Sequence, residues 1–145
     1  MLTFYPEFEA SVQDSEFMFL LDLSNSMSGD GLRDAKKVLL LCLHHLPHNS
    51  LFNIVVFGSG FDDLFPCPKI NTKLNLSIAE KFIQGLEANK GSTIALRPLQ
   101  SFFLLNCCTQ NVFLLSDGHL SSTDALFRAA KTHSSHTRIF TMGVR

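Results

Sequence analysis

Short, uninterrupted apolar runs alternate along this chain with longer stretches in which apolar residues recur at helical spacing. Phe17-Met-Phe-Leu-Leu21, Leu51-Phe-Asn-Ile-Val-Val-Phe57, Val112–Leu115 and Arg138–Val144 read as strands, apolar and partly β-branched. Phe61–Phe65 reads as a short edge strand, stopped by Pro66 and Pro68. The first helical stretch runs from about Leu32 to His45, with Leu32, Ala35, Leu39, Cys42, Leu43 and Leu46 on one side and Pro47 as its stop. A second is predicted over 77–87, burying Ile78, Phe82, Ile83 and Leu86. A third starts at Ser92 or Thr93 and runs to about Leu105, with Pro98 near its start, where a proline is tolerated. A fourth spans about 122–132, with Leu126, Phe127 and Ala130 inward. Strands alternating with helices predict an α/β architecture, doubly wound, with a mostly parallel sheet covered on both faces.

Composition narrows the function classes. Hydrophobic content of 46% against 17% charged residues describes a globular chain, and 145 residues suffice for one domain with a real core. A net charge of −1 gives no long-range attraction to nucleic acid or an anionic membrane, so neither is expected as a partner. No apolar run reaches the length of a spanning helix. Cys42, Cys67, Cys107 and Cys108 form no disulfide framework, which leans toward a cytoplasmic setting. Cys42 reads as a small core hydrophobe, and the Cys107-Cys108 pair has no second pair at zinc-finger spacing.

The chemistry concentrates where the first strand ends. Asp22, Ser24 and Ser26 occupy alternate positions after the apolar run. One carboxylate and two hydroxyls are hard oxygen donors of the kind that suits Mg²⁺. In open α/β sheets, ligands bind at loops of this kind, outside the carboxyl ends of the strands. Taken singly, each serine is as readily a helix cap or turn residue. Asp117-Gly118 alone reads as a turn, and Thr93 alone as a cap.

The spacing Asp22-x-Ser24-x-Ser26 after an apolar strand resembles the metal-ion-dependent adhesion site of von Willebrand factor A domains. Gly91-Ser92-Thr93 before a helical stretch and Asn111-Val-Phe-Leu-Leu-Ser-Asp117-Gly118 resemble the family's two further elements. Ser92 stands where many relatives have a second glycine. The resemblance implies a Rossmann-like fold and a site of Asp22, Ser24, Ser26, Thr93 and Asp117 around Mg²⁺ or Mn²⁺. It also implies adhesion chemistry, in which the cation accepts a carboxylate from an acidic partner protein. The first and fourth strands of that fold, ending at Asp22 and Asp117, are expected to be neighbours.

Within the family, Phe52-Asn-Ile-Val-Val-Phe57-Gly58, Ser116-Asp-Gly-His-Leu120 and His136-Thr-Arg-Ile-Phe140 most resemble the domain of vault-associated poly(ADP-ribose) polymerase. Inter-alpha-trypsin inhibitor heavy chains carry a related domain. That likeness implies a larger parent chain, vault components as partners and a cytoplasmic location, or an extracellular one if the heavy chains are nearer. Residues 1–15 then read as a lead-in from a preceding domain, which Thr3-Phe4-Tyr5-Pro6 resembles, and 16–145 as the domain itself. The family continues past the last strand with a further strand and helices, so that strand is expected to be left as an edge, with reduced stability or self-association.

Three functions compete. The first is a non-enzymatic, cation-dependent protein-binding module. The second is a metal-independent scaffold that positions neighbours in a larger assembly. The third is an aspartyl phosphatase, which resembles Asp-x-Asp. Here Ser24 holds the second position and cannot serve as the acid/base at neutral pH, so no catalysis is expected. His119 stands beside the site. His44 and His48, four apart, have a spacing also seen in metal pairs, although a helix C-terminus accounts for them more cheaply.

Overall fold

The computed structural model describes residues 15–103 and 109–144. The lead-in segment up to residue 14, the Cys107-Cys108 pair and the far end of the third helix lie outside the described residues. The chain order is β1 (Ser15–Asp22), α1 (Asp30–His44), β2 (Leu51–Phe57), β3 (Phe61–Asp63), β4 (Lys69–Ile70), α2 (Lys73–Gln84), α3 (Leu96–Phe103), β5 (Thr109–Ser116), α4 (Thr123–Thr132) and β6 (Thr137–Gly143).

The strands form a single sheet in the order β3-β2-β1-β5-β6, with β4 also pairing β2. β1, β2, β5 and β6 are parallel, while β3 and β4 return antiparallel along β2. β1 is central, which explains its unbroken apolar run: a parallel strand with helices on both sides needs apolar residues at odd and even positions alike. Phe19 and Leu21 join Phe52, Ile54, Val56 and Leu115 under α1 and α2. Met18 and Leu20 point the other way, with Val55, Phe57 and Val112, toward α3. The doubly wound fold expected from the strand–helix alternation is therefore the fold observed, with the first strand beside the strand that leads to Asp117.

Several local expectations need correction. α2 begins at Lys73 rather than at 77, because the Thr72 hydroxyl accepts the Asn75 N–H at 3.3 Å and caps the helix a turn earlier. Ile78 is exposed at 41%; Ala79 and Ile83 are the buried positions, packed with α1 residues, with Leu76, Phe82 and Leu86 partly covered. The C-terminal end of α2 is completed by Lys36 of α1, whose ammonium donates to the carbonyls of Gln84 and Leu86 at 3.2 and 2.6 Å.

α3 starts at Leu96, not at Ser92 or Thr93. The preceding residues are claimed by neighbouring loops: Ile94 N–H donates to the Gly58 carbonyl at 3.0 Å, and the Thr93 carbonyl accepts from Ser121 N–H at 3.1 Å. In α4, Phe127 is 75% exposed rather than inward. It stands at the edge of an apolar cavity of about 390 Å³ between α3, α4 and the β1-β5-β6 face, lined also by Leu126 and Ala130.

β3 ends at Asp63, so Phe65 is not part of it; Phe65 is pinned instead by Asn53, whose side chain donates to its carbonyl at 2.8 Å and accepts its N–H at 3.1 Å. Beyond the prolines the chain rejoins the sheet as β4, a pairing the apolar pattern does not announce. α1 stops at His44, so His48 lies off the helix; His44 instead pairs with Glu80 of α2 at 3.1 Å. Among the described residues, β6 is the outer strand on its side of the sheet.

Candidate metal centre

β1 and β5 run parallel in the register Leu21↔Leu115, so both chains leave the sheet at the same level, at Asp22 and Ser116. β2 lies on the other side of β1, with Phe57 opposite Asp22. Loops from successive strands therefore converge above the point where the winding reverses.

Asp22 is fully buried. Its Oδ1 accepts the backbone N–H of Ser24 at 2.9 Å, and its Oδ2 accepts the Ser116 hydroxyl at 2.8 Å. Ser116 Oγ in turn accepts the Gly118 N–H at 3.2 Å. Ser24 is extended, with φ −61° and ψ 161°, and leads into a 3-10 turn over Asn25–Met27. That geometry sets the hydroxyls of Ser24 and Ser26 3.0 Å apart. The Ser26 hydroxyl also acts on the Asp117 carboxylate, lowering its pKa. Asp117 also accepts the His119 N–H at Oδ1, 3.1 Å away, and its Oδ2 lies 3.3 Å from His119 Nδ1.

Desolvation is the largest influence on Asp117 and pushes its pKa up. Hydrogen bonds from Ser26, from the His119 backbone and from the His119 ring, with the ring's positive charge, together outweigh it. The net effect holds the carboxyl below its ordinary 3.8, so it is ionised at neutral pH.

Thr93 is brought in by its backbone. Asn25 N–H donates to the Gly91 carbonyl at 3.1 Å, and Gly91 N–H donates back to Asn25 Oδ1 at 3.3 Å. Gly91 has φ +66°, a conformation that favours glycine. Lys90 N–H bonds the Leu23 carbonyl at 2.9 Å, and the Lys90 carbonyl accepts both Ser59 N–H and Ser59 Oγ, at 2.7 and 2.9 Å. This close approach requires Gly58, since a Cβ there would collide with the Lys90 Cβ and carbonyl. Thr93 itself is buried.

The structure thus links Asp22, Ser24 and Ser26 through hydrogen bonds, brings Asp117 under the influence of Ser26, and sets Thr93 between the loops that carry Asn25 and Ser121. Sequence reasoning missed Ser116 and Asn25. Ser116 had one signal, its place immediately before Asp117 at a strand end. Asn25 had none beyond lying between the two serines.

The donor set can be tested against a small octahedral cation. Ligands about 2.1 Å from Mg²⁺ and at right angles to one another stand about 3 Å apart, and the Ser24 and Ser26 oxygens are separated by 3.0 Å. Neutral hydroxyls beside two carboxylates balance a divalent charge without an excess of anions. Both Asp22 oxygens are occupied by protein donors, which suits a carboxylate acting on an ion through its charge and through water. The residues present fit the ion. Among the described residues no group of three or more His, Cys, Asp or Glu side chains could hold a metal, here or elsewhere, so the hydroxyls of Ser24, Ser26 and Thr93 are needed to make up this donor set.

Comparison with known proteins bears on this arrangement. The family description "von Willebrand factor type A domain" matches residues 15–145. A von Willebrand factor A domain-containing protein of Dictyostelium discoideum is 37% identical over 99% of the chain. Von Willebrand factor A domain-containing protein 5A of Mus musculus is 34% identical, again over 99%. The chain spans only 16% and 20% of those two relatives.

Among solved structures, a von Willebrand factor type A protein from Catenulispora acidiphila superposes with a TM-score of 0.75 at 20% identity, over 90% of this chain and 33% of that one. Proximal thread matrix protein 1 of the mussel byssus, described with a zinc-occupied MIDAS motif, gives a TM-score of 0.72 at 18% identity, over 90% of this chain and 38% of that one. At these identities the likeness to solved structures shows the fold alone.

Proposed function

The chain belongs to the von Willebrand factor type A family, whose domains are generally non-catalytic protein-interaction modules, and on that premise we propose that it is a divalent-cation-dependent protein-binding module. Ser24, Ser26 and Thr93 would hold the cation, Mg²⁺ or Mn²⁺, with Asp22 and Asp117 balancing its charge. When bound, the ion supplies an electrophilic position that an acidic side chain of a partner protein fills. The chain's own part is orientation. Ser116 and the Ser24 N–H fix Asp22, while Ser26 and His119 fix Asp117 and favour its ionised form. The observation that carries the reading is the 3.0 Å pair of serine hydroxyls, set beside a fully buried aspartate and an ionised one. Zinc in the related site of the mussel protein supports a divalent ion here without deciding which.

The test is thermal melting with EDTA and then with millimolar Mg²⁺ or Mn²⁺, for wild type and Asp22→Ala. An ion that binds only the folded state raises the melting temperature by mass action. The proposal requires a rise in wild type that is absent in the variant. No rise at any concentration would sink it.

That outcome would favour a metal-independent scaffold, a reading with its own supporting observation: the site's polar groups already satisfy one another through hydrogen bonds without an ion. For the parent chain, we propose a large cytoplasmic protein. The likeness of Asp117-Gly-His-Leu120 to the vault-associated polymerase makes vault components the first partners to try.

A further inference from the structure

We propose that His119 is an additional ligand of this centre, one that raises its affinity for zinc relative to magnesium. The inference rests on the cation-binding reading above and names a residue outside the five-residue set.

The donors form a continuous chain. Ser24 Oγ and Ser26 Oγ are 3.0 Å apart, Ser26 acts on the Asp117 carboxylate, and Asp117 Oδ2 lies 3.3 Å from His119 Nδ1. The serine pair and the Asp117–His119 pair are each close to the separation of two adjacent ligands on one ion, about 3 Å for metal–ligand distances near 2.1 Å. The turn that places the ring is fixed by Gly118 at φ +90° and by the His119 N–H on Asp117 Oδ1. The ring itself is 80% exposed, so it can close onto an ion without breaking a packed contact. Ligation uses the lone pair of a ring nitrogen that carries no proton, and the ring stays neutral with its proton on the other nitrogen. Imidazole nitrogen suits zinc, whereas magnesium is held by oxygen. Oxygen ligands would remain for Mg²⁺ whether or not the histidine is present, and only zinc gains a ligand from it.

A histidine that merely braces Asp117 would affect both ions alike, and this difference decides the experiment. Zinc chloride and magnesium chloride are titrated separately into the metal-free chain by calorimetry, for wild type, His119→Ala, Ser26→Ala and the double variant. Because the ring is 80% exposed, metal-free His119→Ala should still melt cooperatively, at or slightly below the wild-type temperature given the lost contact with Asp117, which checks the fold. The proposal expects His119→Ala to weaken zinc roughly tenfold or more beyond any loss it causes for magnesium, since the bracing of Asp117 is shared by both ions and the ring nitrogen serves zinc. It also expects the histidine's effect on zinc to disappear in the Ser26→Ala background, which separates this centre from zinc bound at other histidines or cysteines. Equal losses for both ions, no loss for either, or an effect that persists without Ser26 would overturn it. A wild type that binds neither ion would overturn the cation-binding reading as well, an outcome distinct from normal binding that ignores His119.

Discussion

The Ser116 hydroxyl donates to Asp22 Oδ2 at 2.8 Å, joining two residues 94 apart in sequence inside the sheet's central strand pair. Ser116→Ala leaves that fully buried carboxylate oxygen short of a donor and releases the Gly118 N–H as well. Leaving a buried polar group unsatisfied costs about 1–3 kcal/mol. Urea denaturation in EDTA should show a loss of that size for Ser116→Ala. A loss below about 0.5 kcal/mol would mean that Asp22 finds another donor at no cost.

Gly58 is the position where the β2 exit and the Lys90 loop touch. Gly58→Ala must displace Lys90 and, with it, the Gly91–Thr93 segment. Forcing extra atoms into a tight contact costs about 1–3 kcal/mol. Gly60→Ala, where a Cβ meets nothing within 4 Å, is the matched control. The expected pattern is a stability loss and weaker cation binding for the first and near-wild-type behaviour for the second. Equal behaviour of the two would contradict the assigned contact.

Asp117 gives a pH dependence of defined sign. Its folded pKa lies below the ordinary 3.8, so the stability it contributes is fully present above that value and fades as pH falls through the lower folded one. In EDTA, the margin of wild type over Asp117→Asn should therefore be constant from neutral pH down to about 5 and shrink below 4. A margin that instead grew as the solution became more acidic would show that the carboxyl's folded pKa is raised.

Among the described residues, the two sides of the sheet are guarded unequally. β3 has three residues, two of them Asp62 and Asp63. β6 has seven, without proline, and presents Phe140 at 44% exposure. Long, weakly charged edges invite pairing with another chain. The chain should associate with increasing concentration in sedimentation velocity, and Phe140→Lys should reduce that association. A concentration-independent monomer with a cooperative melt above about 60 °C would refute it.

Much of this was legible in the sequence because β1, β2 and β5 lie between helical layers, and a short continuous apolar run bounded by turn residues is the pattern such a strand requires. The alternate placement of Asp22, Ser24 and Ser26 was visible for the same reason: it begins where the run stops. What stayed hidden depends on contacts between distant segments. The inward face of α2 could not be fixed without knowing how it packs against α1, which buries Ala79 with Ile83 and leaves Ile78 outward. Phe127 looked like a core residue by spacing alone, yet it stands 75% exposed beside a cavity. Ser116 reads as an ordinary strand end until β5 is seen to lie beside β1.

The parallel register Leu21↔Leu115 has a further consequence. Side chains alternate across a strand, so a slip of one residue between β1 and β5 would separate Ser116 from Asp22 and bring a leucine or a second carboxylate in its place. The site is thus a gauge of strand alignment, built only when the two strands are paired correctly to the residue. A ligand that needs both loops would select the aligned chain from a misaligned population, acting as a checkpoint on folding before it takes part in any recognition.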